Sequence, residues 1–398
     1  MKAARFYDNH DIRIEDIDTP IPNDGEILID VAWAGICGTD LHEYSVGPLV
    51  IPKPERPHAS TGDHLPITIG HEFCGHIAQA PDGAVSADGT PLKAGMPVMC
   101  DPRLNCQSCF SCNEGSTNTC PSWGFLGLSG GGGGGFSEQV AVRQFMCYPL
   151  PEDMQLDHAV LIEPLAVARR AVKQANVPDE KIKDMSILVV GGGPVGFSVL
   201  CNLKALGATQ VYVSEPTALR QKQCKGWCSR IFNPMQEKVA DECRKLTDGK
   251  GVDLVFDCAG IEPGMKDGFD ALRPKGTYVN VAGWEGPFTV SLLIRSSCKP
   301  ANKDDKIPMQ FFMMKEIDIR TSLAYDDADF AAVVKDFVAG KFAGAESMIT
   351  ARIGLEDVVE QGFEALVKHK DQHSKIIATP KAELLPRKRR NTGKTNGA

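Results

Sequence analysis

The run Gly191-Gly-Gly-Pro-Val-Gly196 directly follows the apolar segment Ile187-Leu-Val-Val, and it constrains the fold more than any other feature of the chain. A continuous apolar run reads as a strand buried on both faces. After the glycines, Val195, Val199 and Leu203 recur at a spacing of four, which predicts a helix ending near Gly207. The pattern then repeats, with a strand at Gln210–Ser214, a helix from Thr217, a helix at Glu237–Thr247 and strands at Val252–Cys258 and Thr277–Val281. Strands alternating with helices predict an α/β fold with a doubly wound parallel sheet.

The spacing G-x-G-x-x-G at positions 191, 193 and 196 carries a chemical expectation in that setting. Gly191 permits the tight turn, Gly193 lets backbone approach a pyrophosphate, and Gly196 lets helix and strand pack closely. Pro194 and Val195 open the helix, where a missing N–H is harmless and the remaining N–H groups face the phosphates. Glu215 ends the next strand, nineteen residues beyond Gly196, where its carboxylate accepts ribose hydroxyls and repels a 2′-phosphate. The expected cofactor is therefore NAD(H), with NADP less favoured, although Arg220 lies five residues on and could meet a phosphate. The alternative, an ordinary glycine turn between strand and helix, accounts for the glycines without the acid.

The first half of the chain reads differently. Glu26-Ile-Leu-Ile-Asp-Val-Ala, Phe73–Ala80, Met96–Cys100 and Phe136–Val142 are short candidate strands separated by Pro- and Gly-rich loops, which predicts a barrel-like or distorted β domain. Beyond Tyr325 come a helix at Phe330–Val338, a strand near Ile353, a helix at Val358–Lys368 and a closing strand Lys375-Ile-Ile-Ala. A chain of 398 residues is long for one domain and comfortable for two.

Fourteen cysteines in a chain with no apolar export signal point to metal binding or reduced thiols and away from a disulfide scaffold. Cys106, Cys109, Cys112 and Cys120 fall within fifteen residues. That spacing suits a closed tetrahedral all-thiolate zinc site, which fixes a loop and leaves no position open for chemistry. A zinc ribbon for nucleic acid is the competing reading, and the residues between the cysteines carry no basic patch.

A second group is sparser. Cys37 lies in Gly35-Ile-Cys-Gly-Thr-Asp-Leu-His42, and His71-Glu72 lies in Gly70-His-Glu-Phe-Cys-Gly75. Thiolate, imidazole and carboxylate are all zinc ligands, and a catalytic site uses three plus an exchangeable position. Taken singly, a lone Cys or His is more often core filler. Both stand in glycine-flanked turns, and spacing alone leaves the two readings open.

With these segments collected, the chain resembles the zinc-containing medium-chain dehydrogenase/reductase family from near Met1 to about Pro380. The markers are Gly-Ile-Cys37-Gly-Thr-Asp, Gly-His71-Glu72, the four-cysteine loop, Glu163-Pro-Leu-Ala-Val and the glycine turn. Within the family it is most similar to the butanediol and polyol dehydrogenases. The resemblance implies a GroES-like catalytic domain at 1–165 and 325–380 and a Rossmann domain at 166–324; beyond it, 381–398 reads by composition as a basic disordered tail. It implies two zinc ions per chain, one held by the four cysteines and one catalytic ion with Cys37, His71, Glu72 and Glu163 as ligands or water-bridged partners. It implies that the alcohol proton leaves through Thr39 toward His42, with Glu72 also in the catalytic set. The implied reaction is NAD-linked oxidation of a small secondary alcohol, foremost 2,3-butanediol to acetoin, and the reverse reduction. Sorbitol-type and threonine-type oxidation are the alternatives inside the family, and a regulatory NAD- and zinc-binding protein is the alternative outside it. A homodimer or homotetramer is implied by analogy.

Two departures stand out. Arg169-Arg170 replaces a bulky residue followed by His beside the cofactor cleft, which could alter cofactor affinity, and six glycines at 130–135 could leave that loop mobile. Net charge is −8, and because the segment from Lys381 is basic, residues 1–380 carry about −13. An acidic body argues against nucleic acid as a partner, and no run is long enough to span a membrane. The expected address is the cytoplasm. Arg387–Arg390 reads equally as a nuclear-import patch or as a solvated appendage.

Overall fold

A computed structural model describes residues 1–131, 133–283 and 309–386. The basic run Arg387–Arg390 lies outside them. Six parallel strands form one sheet, in the order Arg230–Phe232, Gln210–Ser214, Ser186–Val190, Val252–Asp257, Leu272–Asn280 and Asp318–Thr321. The order places the strand entering the glycine turn third, with its neighbours on either side coming later in the chain. That is the doubly wound arrangement, in which the crevice beyond the strand ends receives ligands. The apolar run is fully enclosed: Ile187, Leu188 and Val189 are 0% exposed.

The second large sheet has seven strands. Glu26–Gly35 is central, pairing antiparallel with Glu72–Gln79, Gln139–Arg143 and Lys375–Thr379. Ile349–Gly354 then pairs parallel with Lys375–Thr379. Residues from both chain regions thus meet at Gly35, which lies opposite Glu72 on one side and Ile377 on the other. Phe73, Ile29, Val31 and Phe136 are at most 1% exposed and form the packed interior here. Among the described residues, no helix is long and apolar enough to cross a membrane.

The observed strands overlap the expected ones, but two start elsewhere: that expected from Thr277 begins at Leu272, and the other is more instructive. The strand expected from Phe136 begins at Gln139. Gly135 N donates to Gly70 O (2.7 Å) and Phe136 N to Ile69 O (3.0 Å), while the Ser137 hydroxyl donates to Gly134 O (2.8 Å). These residues spend their polar groups on a neighbouring loop before the ladder starts.

Within the glycine run, Gly132 lies outside the described residues, and the glycines on either side pack closely on the turn ahead of His71. Gly70 N donates to Gly127 O (3.1 Å), so the turn ahead of His71 is gripped from both sides by glycine backbone. A Cβ at Gly127 would sit 2.1 Å from Gly70 O, and one at Gly134 would sit 2.5 Å from Thr68 O. The missing side chains serve close approach of backbone to backbone, which holds the loop carrying His71.

Candidate active site

Each member of the sparse group comes from an edge or end of the seven-stranded sheet. Cys37 caps the N-terminus of the helix Gly38–Val46, two residues beyond the central strand. Its N–H donates to Asp40 Oδ2 (2.9 Å). His71 precedes Glu72, the first residue of the strand paired with Gly35. The ligand atoms of Cys37, His71 and Glu72 all lie within 4.8 Å of one another. Residues separated by more than thirty positions therefore converge because two neighbouring strands end side by side.

Asp40 ties the group together. Its Oδ1 stands 3.2 Å from His71 Nδ1, and it is 2% exposed. A carboxylate this close to Nδ1 favours Nε2 as the nitrogen turned to a metal. Burial pushes the Cys37 thiol up, and the Glu72 charge adds to that. Burial opposes protonation of His71, but Asp40 and Cys37 outweigh it and raise its pKa. Thiolate, imidazole and carboxylate facing one another are the donors a divalent zinc ion takes. The donor set fits zinc.

The sequence reading missed Lys375. Its side chain is buried between Glu72 and Ile36: Nζ donates to Ile36 O (3.0 Å) and forms an ion pair with Glu72 Oε2. Burial alone would lower its pKa, yet Glu72 and Cys37 raise it. The signal was present in the closing strand, where one lysine begins an otherwise apolar run. A lysine enclosed on both faces needs an anionic partner.

Glu163 lies in the first turn of the helix Ile162–Gln174, 2% exposed, and outside the 4.8 Å cluster. Burial, aided by Glu72 and opposed by His71 and Lys375, pushes its carboxyl up to about 7. It therefore shares the electrostatics of the pocket. Thr39 Oγ1 stands 3.8 Å from Cys37 Sγ, and His42 follows three residues later on the same helix, on the same face. Phe125 covers the His71 ring at 5.3 Å between centroids.

The four-cysteine loop also closes. The sulfurs of Cys106, Cys109, Cys112 and Cys120 lie within 4.8 Å of one another. Backbone N–H groups point at them: Cys112 N to Cys109 Sγ (3.5 Å), Cys106 N to Cys120 Sγ (3.4 Å) and Ser122 N to Cys120 Sγ (3.3 Å). The Ser108 N–H and hydroxyl bring Cys106 down to about 6, while burial pushes Cys112 up to about 12. Four thiols facing one another, with N–H or hydroxyl donors aimed at Cys106, Cys109 and Cys120, form the donor set of a closed tetrahedral zinc site.

At the glycine turn, Gly193 caps the helix Pro194–Ala205, with Pro194 in its first turn followed by Val195. A Cβ at Gly196 would lie 1.9 Å from Gly191 O, so helix and turn touch directly. Both Glu215 oxygens accept backbone N–H groups, Oε2 from Gly192 and Oε1 from Thr217, each at 2.7 Å. The carboxylate thus shapes the turn as well as facing it. Arg220 Nη1 stands 3.4 Å from the position a Gly193 Cβ would take, and its buried Nε has no partner among the described residues. Arg169 and Arg170, by contrast, are committed elsewhere. Arg169 pairs with Asp179 (2.5 Å), and Arg170 pairs with Asp326 (2.6 Å) and Asp329 (3.3 Å).

Comparison with known proteins agrees with this geometry. Residues 23–152 match the alcohol dehydrogenase GroES-like domain, and residues 194–339 match the zinc-binding dehydrogenase family. The (R,R)-butanediol dehydrogenase of Neisseria gonorrhoeae is 36% identical, with 96% of this chain and 99% of the relative covered. That of Saccharomyces cerevisiae is 34% identical, covering 96% and 98%. The crystal structure of 2R,3R-butanediol dehydrogenase from Bacillus subtilis superposes with a TM-score of 0.81 at 33% identity, covering 96% of this chain and 99% of that one.

Proposed function

The chain belongs to the zinc-type medium-chain alcohol dehydrogenases, and on that premise we propose that it interconverts a small vicinal secondary alcohol and its ketone, 2,3-butanediol and acetoin first among them, with NAD(H) as the hydride carrier. The observation that carries this reading is the convergence of Cys37, His71 and Glu72 within 4.8 Å, in a chain that also carries a glycine turn and acid suited to a dinucleotide. Cys37, His71 and Glu72 would hold the catalytic zinc, with Glu163 as a further carboxylate beside it. When bound, zinc supplies a Lewis acid that lowers the pKa of an alcohol hydroxyl toward neutrality.

The protein's residues do the rest. Asp40 orients His71, and Lys375 holds Glu72 in place while balancing its charge. Thr39 Oγ1 takes the hydroxyl proton and passes it toward His42 and solvent. A bound nicotinamide would supply the acceptor for the hydride that leaves the carbinol carbon as it becomes a carbonyl. The turn at Gly191–Gly196 and the helix N-terminus hold the pyrophosphate, Glu215 receives the ribose hydroxyls, and Arg220 faces the phosphates.

The test is NADH formation, followed by absorbance, from racemic and meso 2,3-butanediol with protein of known zinc content. Turnover that disappears in Cys37→Ser supports the reading. Turnover of sorbitol or threonine in its place moves the substrate assignment within the family.

A further inference from the structure

The four-cysteine lobe reaches beyond its own sulfurs. Arg103 stands at its base in the short strand Arg103–Leu104 and is 4% exposed. Nε and Nη2 donate to the two oxygens of Asp101 at 3.0 and 2.5 Å. Nη1 donates to Thr117 Oγ1 (2.7 Å) and to Tyr325 O (2.9 Å), and Nη2 donates also to Asp327 Oδ1 (2.6 Å). All five N–H groups of the guanidinium are spent. Two residues between Cys112 and Cys120 grip the same region: Thr117 Oγ1 donates to Asp327 Oδ1 (2.9 Å), and Asn118 Nδ2 donates to Leu323 O (2.8 Å).

What they grip is residues 323–327, where the chain passes from the last strand of the parallel sheet to the helix Asp327–Val338. This segment carries Tyr325, which is 0% exposed. The Tyr325 ring lies 4.8 Å below the Arg103 guanidinium carbon and packs on Phe125, the ring that covers His71. Its hydroxyl faces the Glu163 carboxyl without closing a hydrogen bond of ordinary geometry.

We propose that Arg103 is a positioning residue through which the four-cysteine lobe fixes Tyr325 against Glu163, so that the lobe governs the shape of the reacting pocket as well as its own loop. The proposal rests on the reading of Cys37, His71, Glu72 and Glu163 as that pocket. A lysine, with three donors on a point charge, cannot reproduce the planar fork that reaches Asp101, Thr117, Tyr325 and Asp327 together.

The experiment uses the full chain loaded with zinc, in Arg103→Lys and the milder Thr117→Val. Two readouts are taken: hydrogen exchange by mass spectrometry, and KM for butanediol and NAD separately. In both variants the expected result is two zincs per chain, unchanged exchange across 186–257 and exchange across 323–330 faster by about tenfold. KM for the alcohol rises about tenfold while KM for NAD stays within about twofold. Unchanged exchange at 323–330 in both variants overturns the proposal, as does an equal rise in both KM values, which marks general loosening. If the parent protein turns over no alcohol, the reading of the pocket fails, and the exchange result alone then decides whether the lobe holds the segment.

Discussion

Lys375 Nζ bridges the Glu72 carboxylate and the Ile36 carbonyl, joining the closing strand of the large sheet to both halves of the proposed catalytic zinc site. Both side chains of the ion pair are 1% exposed, so neither charge has water to fall back on. Removing one partner of such a pair costs far more than the pair itself contributes.

Lys375→Met should therefore lower unfolding stability by about 3–5 kcal/mol. Adding Glu72→Gln in the same chain should recover most of that loss, since no unpaired charge remains. Urea unfolding of the single and double variants checks this. A single variant as stable as the parent would mean that Glu72 finds another cation or takes up a proton at little cost.

The two proposed zinc sites should separate by mutation. Cys37→Ser is expected to keep the lobe zinc, giving one metal per chain by atomic emission, and to lose roughly 10³-fold or more in turnover, the several kcal/mol a Lewis acid provides. Two zincs retained in Cys37→Ser would remove that residue from the ligand set.

Glu215 makes two charge-assisted bonds to backbone N–H groups as well as facing the cofactor turn. Glu215→Ala should raise KM for NAD by about 10–100-fold, the equivalent of about 1.5–3 kcal/mol for hydrogen bonds to a charged group. The ratio of NADP to NAD turnover should rise with it. A fall in both cofactors by the same factor would assign Glu215 to the turn's shape alone.

Arg170 is tied to Asp326 and Asp329 and to no part of the glycine turn. Arg170→Met should cost about 1–3 kcal/mol, because the buried Asp329 keeps just Lys173 as a cation beside the Asp326 N–H, and should leave KM for NAD unchanged. Steady-state kinetics beside thermal melting would separate this from a role in cofactor affinity.

Asp253 gives a dependence on pH. Burial pushes its carboxyl up, but the Ser186 N–H, Arg273 and the Ser186 hydroxyl together outweigh it and hold the pKa below the ordinary value. A depressed folded-state pKa contributes stability that is complete above the ordinary carboxylate range, about 4, and is lost as pH falls through the lowered value. Asp253→Asn should remove that part of the acid limb. Unfolding midpoints between about pH 3 and 5 should then fall less steeply than in the parent, and parallel slopes would count against the assignment.

Much of this was legible in the sequence because the physics is local. The apolar run before Gly191, the spacing to Glu215 and the four clustered cysteines each state their geometry within a few dozen residues. Cys37 and His71 could be nominated because their glycine-flanked turns are unlike core positions. Lys375 and Arg103 were not legible in the same way. Their partners stand 303 and 224 positions away at Glu72 and Asp327, and pairing over that distance is a property of sheet order. Close approach of backbone to backbone around Gly70 was hidden for a related reason. Composition reports freedom of the isolated chain, whereas Gly70 O lies close enough to forbid any side chain at Gly127.

The separation of Glu72 from Lys375 also sets a schedule. A ribosome adds roughly 5–20 residues per second, so about 15–60 s pass between synthesis of the one and arrival of the other. Through that interval the nascent chain carries a thiol, an imidazole and a carboxylate without the cation that later balances them. Such a trio is an open chelator for any thiophilic ion in its surroundings, and copper outcompetes zinc on affinity alone. Charge balance at Glu72 waits on the last strand of the large sheet to be made.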